Sequence, residues 1–320
     1  MKSWALSHES RVVSTLPRPK GDMLIRRLTR SFRARLPDRA ISAVRSLAIG
    51  WGKLTASLRM DPTIVVIGAQ RSGTTTLFRL LEQHPSLVRP TLSKATGYFS
   101  DGFRRGFRWY RAHFPLRFTA RVLKGARAQT FEINGYYMFH PLAAERMAQA
   151  LPKAQVVALL RDPVERAYSA YRHEYARGFE DQGFADALAL EDERTAGEAE
   201  KLASVEGYVS YAHRHYAYRQ RSEYSTQLER YIRAFGRERV HIVDAELFFV
   251  DPAAEFVRLQ KALGLEVWRP GQVERWNARA GDALSDTERE RLLKHFEPYD
   301  EALAEMMGQP PSWRRSEVPA

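Results

Sequence analysis

The sequence predicts an α/β fold in three layers, with a central parallel sheet flanked by helices. Three observations carry that prediction. Short runs rich in β-branched and aliphatic residues recur as strand candidates at Ile64–Ile67, Thr130–Ile133, Gln155–Leu160 and Arg239–Val243. Segments with apolar residues at helical spacing alternate with them, the order expected of one parallel sheet covered on both faces. No internal repeat or low-complexity linker interrupts the alternation, and 320 residues suffice for one large core with an extension.

The extension comes first. Residues 1–60 hold 13 Lys and Arg against 3 Asp and Glu, whereas residues 61–320 hold 37 against 35. The formal charge of +12 therefore belongs to an arm, 1–60, and the domain 61–320 is near neutrality, which argues against nucleic acid as a partner. The first twenty residues, polar and proline-containing, are expected to be ill-ordered. Leu24, Leu28 and Phe32 then recur every four residues among Arg26, Arg27, Arg30, Arg33 and Arg35, and beyond Pro37 the set Ile41, Val44, Leu47 and Ala48 keeps the same period. Such basic amphipathic segments either pack on the core with arginines facing water, the commoner arrangement, or lie on an anionic membrane surface.

The domain opens with TIVVIGAQRSGTTTLFRLLEQH, Thr63–His84. Ile64–Ile67 reads as a parallel strand buried on both faces. Gly68 and Gly73 bracket a loop that needs unusual backbone angles and close approach to a ligand. Leu77, Leu80 and Leu81 follow at helical spacing. A strand, a tight loop and a helix N-terminus aim backbone N–H groups at one spot, which suits an anion. Thr74, Thr75 and Thr76 add hydroxyl donors, and Arg71 a fixed charge. The fold is P-loop-like, yet Thr74 stands where the pattern G-x-x-x-x-G-K-[ST] has its lysine, so a phosphate-bearing donor other than a nucleoside triphosphate is the better reading.

Pro85 ends the helix, and Arg89–Arg111 is an irregular stretch crowded with Gly, Tyr, Phe, Trp and Arg, suited either to a binding loop with aromatic walls or to satellite core. Thr130–Ile133 ends in Glu132 and Asn134 and precedes a helix over 141–150. Gln155–Leu160 runs into Arg161-Asp162-Pro163, delivering an arginine where a Walker B strand delivers an aspartate to magnesium, so the site is matched to an anion rather than a metal. Val164–Tyr175 continues as helix, with Ser169 two turns on from Arg161 and within reach of the same phosphate. Gly183–Glu200 reads as a surface helix with solvated charge. Ser210–Phe235 carries a longer helical pattern, Arg239–Val243 the fourth strand, Pro252–Leu263 a helix stopped by Gly264, and Ser285–Met307 a tail helix opened by a capping-box-like S-D-T-E.

With no cysteine, the composition excludes disulfides, thiolate metal sites and a cysteine nucleophile. No run reaches the length of a membrane-spanning helix, and the N-terminus lacks the apolar stretch of a signal peptide. The expected location is the cytoplasm, with a peripheral position at a membrane open through the arm.

GAQRSGTTTL and LLRDPVERAYSAY together resemble the two nucleotide-binding elements of sulfotransferases that use 3′-phosphoadenosine-5′-phosphosulfate (PAPS), the bacterial and heparan-type branch in particular. The resemblance extends more weakly through RSEYSTQLERY, DAELFFVDPAA and the tail helix, over about residues 62–313, and leaves the arm outside. It implies a sulfotransferase domain in 61–320 that transfers a sulfuryl group from PAPS to a hydroxyl or amine of a small-molecule, sugar or lipid acceptor, releasing adenosine 3′,5′-bisphosphate. By the same resemblance Arg71, Ser72, Gly73, Thr74, Thr75 and Thr76 hold the 5′-phosphosulfate, and Arg161 and Ser169 the 3′-phosphate. In-line sulfuryl transfer needs positive charge at the leaving oxygen, and no metal is compulsory.

The sequence departs from the family where relatives read R-P-x-x-K-E-x-H-Y-F. RPTLSKATGYF keeps Arg89, Pro90, Lys94, Tyr98 and Phe99 but has Ala95 and Gly97 in place of the glutamate, the usual general base, and the histidine. A second segment, often E-K-[ST]-P-x-Y, appears as EINGYY. Three readings follow: a relocated base, favoured here, with Glu132 ahead of His113 and His140; an acceptor acidic enough, or an amine, that needs less help; or lost activity. Lys94 is expected to line the sulfate site, which makes Arg71, Lys94 and Glu132 the candidate catalytic set. The alternatives to a sulfotransferase are a P-loop kinase or NTPase and a non-catalytic nucleotide-binding descendant.

Overall fold

The computed structural model describes residues 38–271 and 284–315. The expected ill-ordered start and the amphipathic set Leu24–Arg35 lie outside the described residues. Contacts divide the chain between Ala48 and Ile49. Helix α1, Asp38–Leu54, includes the second apolar set, of which Val44 and Leu47 are exposed.

From Ile49 on, five parallel strands form one sheet in the order β2-β3-β1-β4-β5: β1 Ile64–Gly68, β2 Leu87–Val88, β3 Gln129–Ile133, β4 Gln155–Leu160 and β5 Val240–Asp244. Val66 lies opposite Ile133 on one side and Val157 on the other, and Leu160 lies opposite Asp244. The two-residue period of a strand sorts the side chains into two cores. Val65, Ile67, Val156, Ala158 and Leu160 pack against Met147 of α3 (Ala143–Ala150) and Leu228 and Tyr231 of α5 (Tyr224–Phe235). Ile64, Val66, Phe131, Ile133, Val157 and Leu159 face Leu77 and Leu81 of α2 (Thr74–Gln83), Phe248 of α6 (Ala245–Val250) and Phe256 of α7 (Pro252–Ala262). These are the three layers the sequence predicts. A third cluster joins Val164 and Ala170 of α4 (Pro163–Tyr175) to Leu292 and Phe296 of α8 (Asp286–Met307).

One stretch differs from the sequence reading, and a second takes one of the two alternatives it left open. Gly183–Glu200 is broken into short helices, Phe184–Ala189, Glu191–Thr195 and Glu198–Ser204, and Glu191 and Glu198 are buried rather than solvated. Each finds donors inside: Glu191 accepts from the backbone N–H groups of Arg219 and Gln220, and Glu198 from Tyr208 and Lys201. In Arg89–Arg111, Tyr98, Phe99, Trp109 and Tyr110 join the main core, so these aromatic residues are packing and not the walls of a binding loop.

All five strands point the same way, and their carboxyl ends share one edge of the sheet. Chain order reverses about β1, with β3 and β2 to one side and β4 and β5 to the other. A crevice at such a switch point, outside the carboxyl ends, is where open α/β sheets bind ligands.

Candidate active site

The loop after β1 is shaped by its backbone. Ala69 N–H donates to Leu159 O at 2.8 Å, which ties the loop to β4. Arg71 has φ 76° and Gly73 φ 86°. The left-handed region costs a non-glycine residue energy, so the surrounding loop must hold Arg71 there against its local preference. Gly73 has no such cost, but a Cβ there would lie 2.6 Å from the Phe249 ring, so the residue also permits close packing. Gly73 caps α2, whose first amides have no intrahelical acceptor and face the crevice with the positive end of the helix dipole.

The loop side chains divide into two groups. Arg71, Thr74 and Thr75 are half-buried beside the crevice, and Gly73 offers its backbone. Ser72 and Thr76 are buried. The Ser72 hydroxyl faces inward, and its N–H donates to Ala69 O at 3.3 Å, so Ser72 shapes the loop from within.

The second anchor follows β4. Asp162 caps α4 by accepting from Val164 N–H at 2.8 Å and Glu165 N–H at 3.3 Å, and Pro163 fixes the first turn. The cap aims Arg161 over the strand ends. Its guanidinium lies 3.6 Å from Glu165 and 3.6 Å from Glu246, ion pairs too long for hydrogen bonds, and Nε makes none among the described residues. The Tyr224 hydroxyl holds the Arg161 carbonyl at 2.9 Å. Ser169 reaches the loop after β1 directly, accepting from Arg71 Nε at 3.2 Å. The two sequence elements thus meet at this contact.

Lys94 approaches from the third side. Its ammonium lies 3.4 Å from Thr75 Oγ1 and 5.4 Å from the Phe78 ring centroid. Loss of water around it, and then the charge of Arg79, lower its pKa. The structure adds residues that sequence reasoning did not assign. Arg221 is buried between the rings of Tyr136 and Phe139, donates to the Gln70 side chain and to His213 O, and so fixes the residue next to Arg71. Burial lowers its pKa to about 10. Glu246 and Tyr224 frame Arg161. The signal for Arg221 and Tyr224 was present in RSEYS, but nothing local said which core they enter.

Glu132 is fully buried. Its carboxylate accepts from Thr96 N–H at 2.8 Å, Thr96 Oγ1 at 2.6 Å, Tyr137 at 2.9 Å and Tyr110 at 2.8 Å. Burial raises its pKa, and these donors oppose the rise. His113 is buried with Nδ1 2.9 Å from Trp109 O, and His140 is buried with its pKa lowered to about 3. A general base must present a lone pair to the acceptor's proton. All three candidates for a relocated base are buried, and the Glu132 carboxylate and His113 Nδ1 are each engaged by neighbours in the core. Thr96, between Ala95 and Gly97, is instead the residue Glu132 holds.

The comparisons with known proteins identify the family. The family model described as the sulfotransferase domain matches residues 61–292. The chain belongs to the sulfotransferase domain family. This sulfotransferase domain is similar to bifunctional heparan sulfate N-deacetylase/N-sulfotransferase 1 of Mus musculus, 28% identical over 211 residues, 64% of this chain and 22% of that protein. It is similar to bifunctional heparan sulfate N-deacetylase/N-sulfotransferase 3 of Homo sapiens, 26% identical over 310 residues, 84% of this chain and 32% of that protein. The chain thus spans about a fifth to a third of the length of these relatives. Among solved structures, a sulfotransferase from Alicyclobacillus acidocaldarius superposes with a TM-score of 0.60 at 28% identity, covering 80% of this chain and 99% of that one. Membership of this family replaces the kinase or NTPase alternative. Among the described residues no group of three or more His, Asp or Glu side chains is arranged to hold a metal ion, and no helix is long and apolar enough to cross a membrane.

Proposed function

We propose that the donor is PAPS and that the acceptor is an amine or an acidic hydroxyl on a sugar, small molecule or lipid. The single observation that supports the donor assignment is the Arg71–Ser169 hydrogen bond, which puts the loop after β1 in contact with the helix after β4. Arg71, Gly73, Thr74 and Thr75 would hold the 5′ end, with Ser72 and Thr76 supporting the loop from the core. Arg161 and Ser169 would hold the 3′-phosphate, a group that ATP lacks. Arg161 fits this role because its flanking carboxylates lie at 3.6 Å and its Nε has no hydrogen-bond partner among the described residues. Bound there, PAPS supplies an activated sulfuryl group. Arg71, always charged, stabilises the leaving oxygen without giving up a proton, and Lys94 adds a second cation beside Thr75.

The acceptor class follows from the burial of Glu132, His113 and His140. An amine of suitable pKa already carries a lone pair, and an acidic hydroxyl loses its proton with little help. The N-sulfotransferase relatives support the amine. No metal enters this scheme. The enzyme is placed in the cytoplasm, with the basic arm available to an anionic membrane surface. A labelled-sulfate transfer assay with PAPS across amine, phenol, sugar and lipid acceptors tests the reading. Transfer to amines or phenols is expected. Stabilisation by adenosine 3′,5′-bisphosphate with no transfer to any acceptor would instead identify a binding protein.

A further inference from the structure

The helix Arg117–Lys124, RFTARVLK, turns its apolar side outward. Ala120 is its one buried residue, whereas Phe118, Val122 and Leu123 are 76%, 69% and 72% exposed. The adjoining segment does the same. Gly52 sits flat against Ala112, where a Cβ would lie 2.6 Å from the Ala112 Cβ, so one side of α1's last turns faces the domain. Trp51, Leu54 and Leu58 are 61%, 73% and 62% exposed. The two segments are joined by the antiparallel bridge Arg59–Leu116, by Arg117 Nη1 donating to Ser57 O at 3.0 Å and by Met60 N–H donating to Pro115 O at 3.0 Å. Apolar side chains exposed in adjoining segments mark a contact surface.

Its charge says what kind. Lys53, Arg108, Arg117 and Arg121 have no carboxylate partner among the described residues, and Arg117 and Arg121 also line a shallow recess with Met60, Asp61, Ala126 and Ala128, in which the Asp61 carboxylate is taken by Arg111. Aromatic and aliphatic side chains interleaved with unpaired arginines match the boundary between lipid headgroups and acyl chains, where apolar residues enter and cations meet phosphate. A second copy of the chain would set the same cations face to face, and the arm is itself basic. A nucleic acid would leave the apolar residues in water.

We propose that this face, residues 51–58 with 117–124, docks the domain on an anionic lipid bilayer, independently of the arm and of the donor site. The helix precedes β3, so the face lies toward the amino ends of the strands, while the loop after β1 and Arg161 lie at their carboxyl ends. Docking would leave the crevice directed away from the membrane. The face would hold the enzyme at a membrane and would not feed it a membrane-embedded acceptor.

The test is co-sedimentation of the full chain with vesicles of equimolar phosphatidylcholine and phosphatidylserine, against vesicles of phosphatidylcholine alone. Binding to the anionic vesicles should be at least about tenfold tighter. Phe118→Ser with Leu123→Ser, and separately Arg117→Glu with Arg121→Glu, should each weaken it by about tenfold while leaving the melting shift with adenosine 3′,5′-bisphosphate unchanged. The arm substitutions Arg26→Glu, Arg27→Glu, Arg30→Glu and Arg33→Glu should leave residual binding that the face substitutions remove. Equal binding to both vesicles would overturn the proposal. So would full vesicle binding by both face variants, a dimer that the face substitutions dissolve, or preferential binding to duplex DNA.

Discussion

Arg71 Nε donates to Ser169 Oγ across 3.2 Å, so the residue assigned to the sulfate end of the donor and a residue assigned to its 3′-phosphate touch. The contact crosses from the turn after β1 to the second turn of α4. A single hydroxyl therefore bears on the placement of Arg71 as well as on the far phosphate, and Ser169→Ala should affect transfer more than loss of one phosphate contact alone would.

Arg161→Ala should weaken adenosine 3′,5′-bisphosphate by about 1.5 to 3 kcal/mol, the range for hydrogen bonds to charged groups, and leave adenosine 5′-monophosphate nearly unchanged. Removing the cation also leaves Glu246 without its ion-pair partner beside the phosphate, whereas Glu165 keeps Arg289, which places the effect toward the upper end. Isothermal titration with both nucleotides checks this. Equal losses for the two would remove the 3′-phosphate assignment.

Arg71 separates stability from activity, because its backbone is left-handed. Arg71→Gly should be more stable than Arg71→Ala by about 1 kcal/mol, since glycine adopts that conformation without a Cβ clash. Both should lose transfer by about a hundredfold or more, the scale for removing one group that stabilises developing charge. Denaturant melts and single-turnover rates measure the two effects; equal stabilities would show that the conformation is not strained.

Glu132→Gln should lower stability by about 1 to 3 kcal/mol, because an amide NH₂ would face hydrogen-bond donors from Thr96, Tyr110 or Tyr137 in a dry site. The transfer rate should change little once folding is accounted for. A stable variant with transfer reduced about a hundredfold would return Glu132 to the chemistry.

Two buried histidines set a pH dependence. Burial, followed by nearby arginines, lowers His140 to about 3 and His213 to about 2 from an ordinary 6.5. The unfolded chain binds protons there first, so each group's contribution to stability is present above 6.5 and is lost as pH falls toward its folded value. The slope is at most about 1.4 kcal/mol per pH unit for each histidine. Glu191, raised by burial to about 7, acts with the opposite sign as pH rises from 4.5. The difference between wild type and His140→Asn is therefore the readout. Urea midpoints from pH 7 down to about 4 should converge as pH falls; parallel profiles would contradict a neutral buried His140.

The strands that build the site were legible because each is short, apolar and ends at a chemical landmark: Gly68, Glu132 or Arg161. The caps of α4 and α8 were legible from Asp162-Pro163 and Ser285. What could not be read depended on partners distant in sequence. β2 has two residues, too few for any period, and exists because Leu87 and Val88 find β3. Glu191 and Glu198 looked solvated because, Lys201 aside, the donors named for them lie ten to thirty residues away. Ser72 and Thr75 are alike in local sequence, and only the packing beneath the loop turns one inward and the other toward the crevice.

Gly73 leaves room for a ring of α6, and α6 also carries Glu246, the neighbour of Arg161. The turn after β1 thus rests on the element that frames the opposite end of the site. Grafting this loop onto another scaffold would need Phe249 and its helix as well. Conversely, a random library at Phe249 offers a route to retune donor preference without altering any residue assigned to touch the donor.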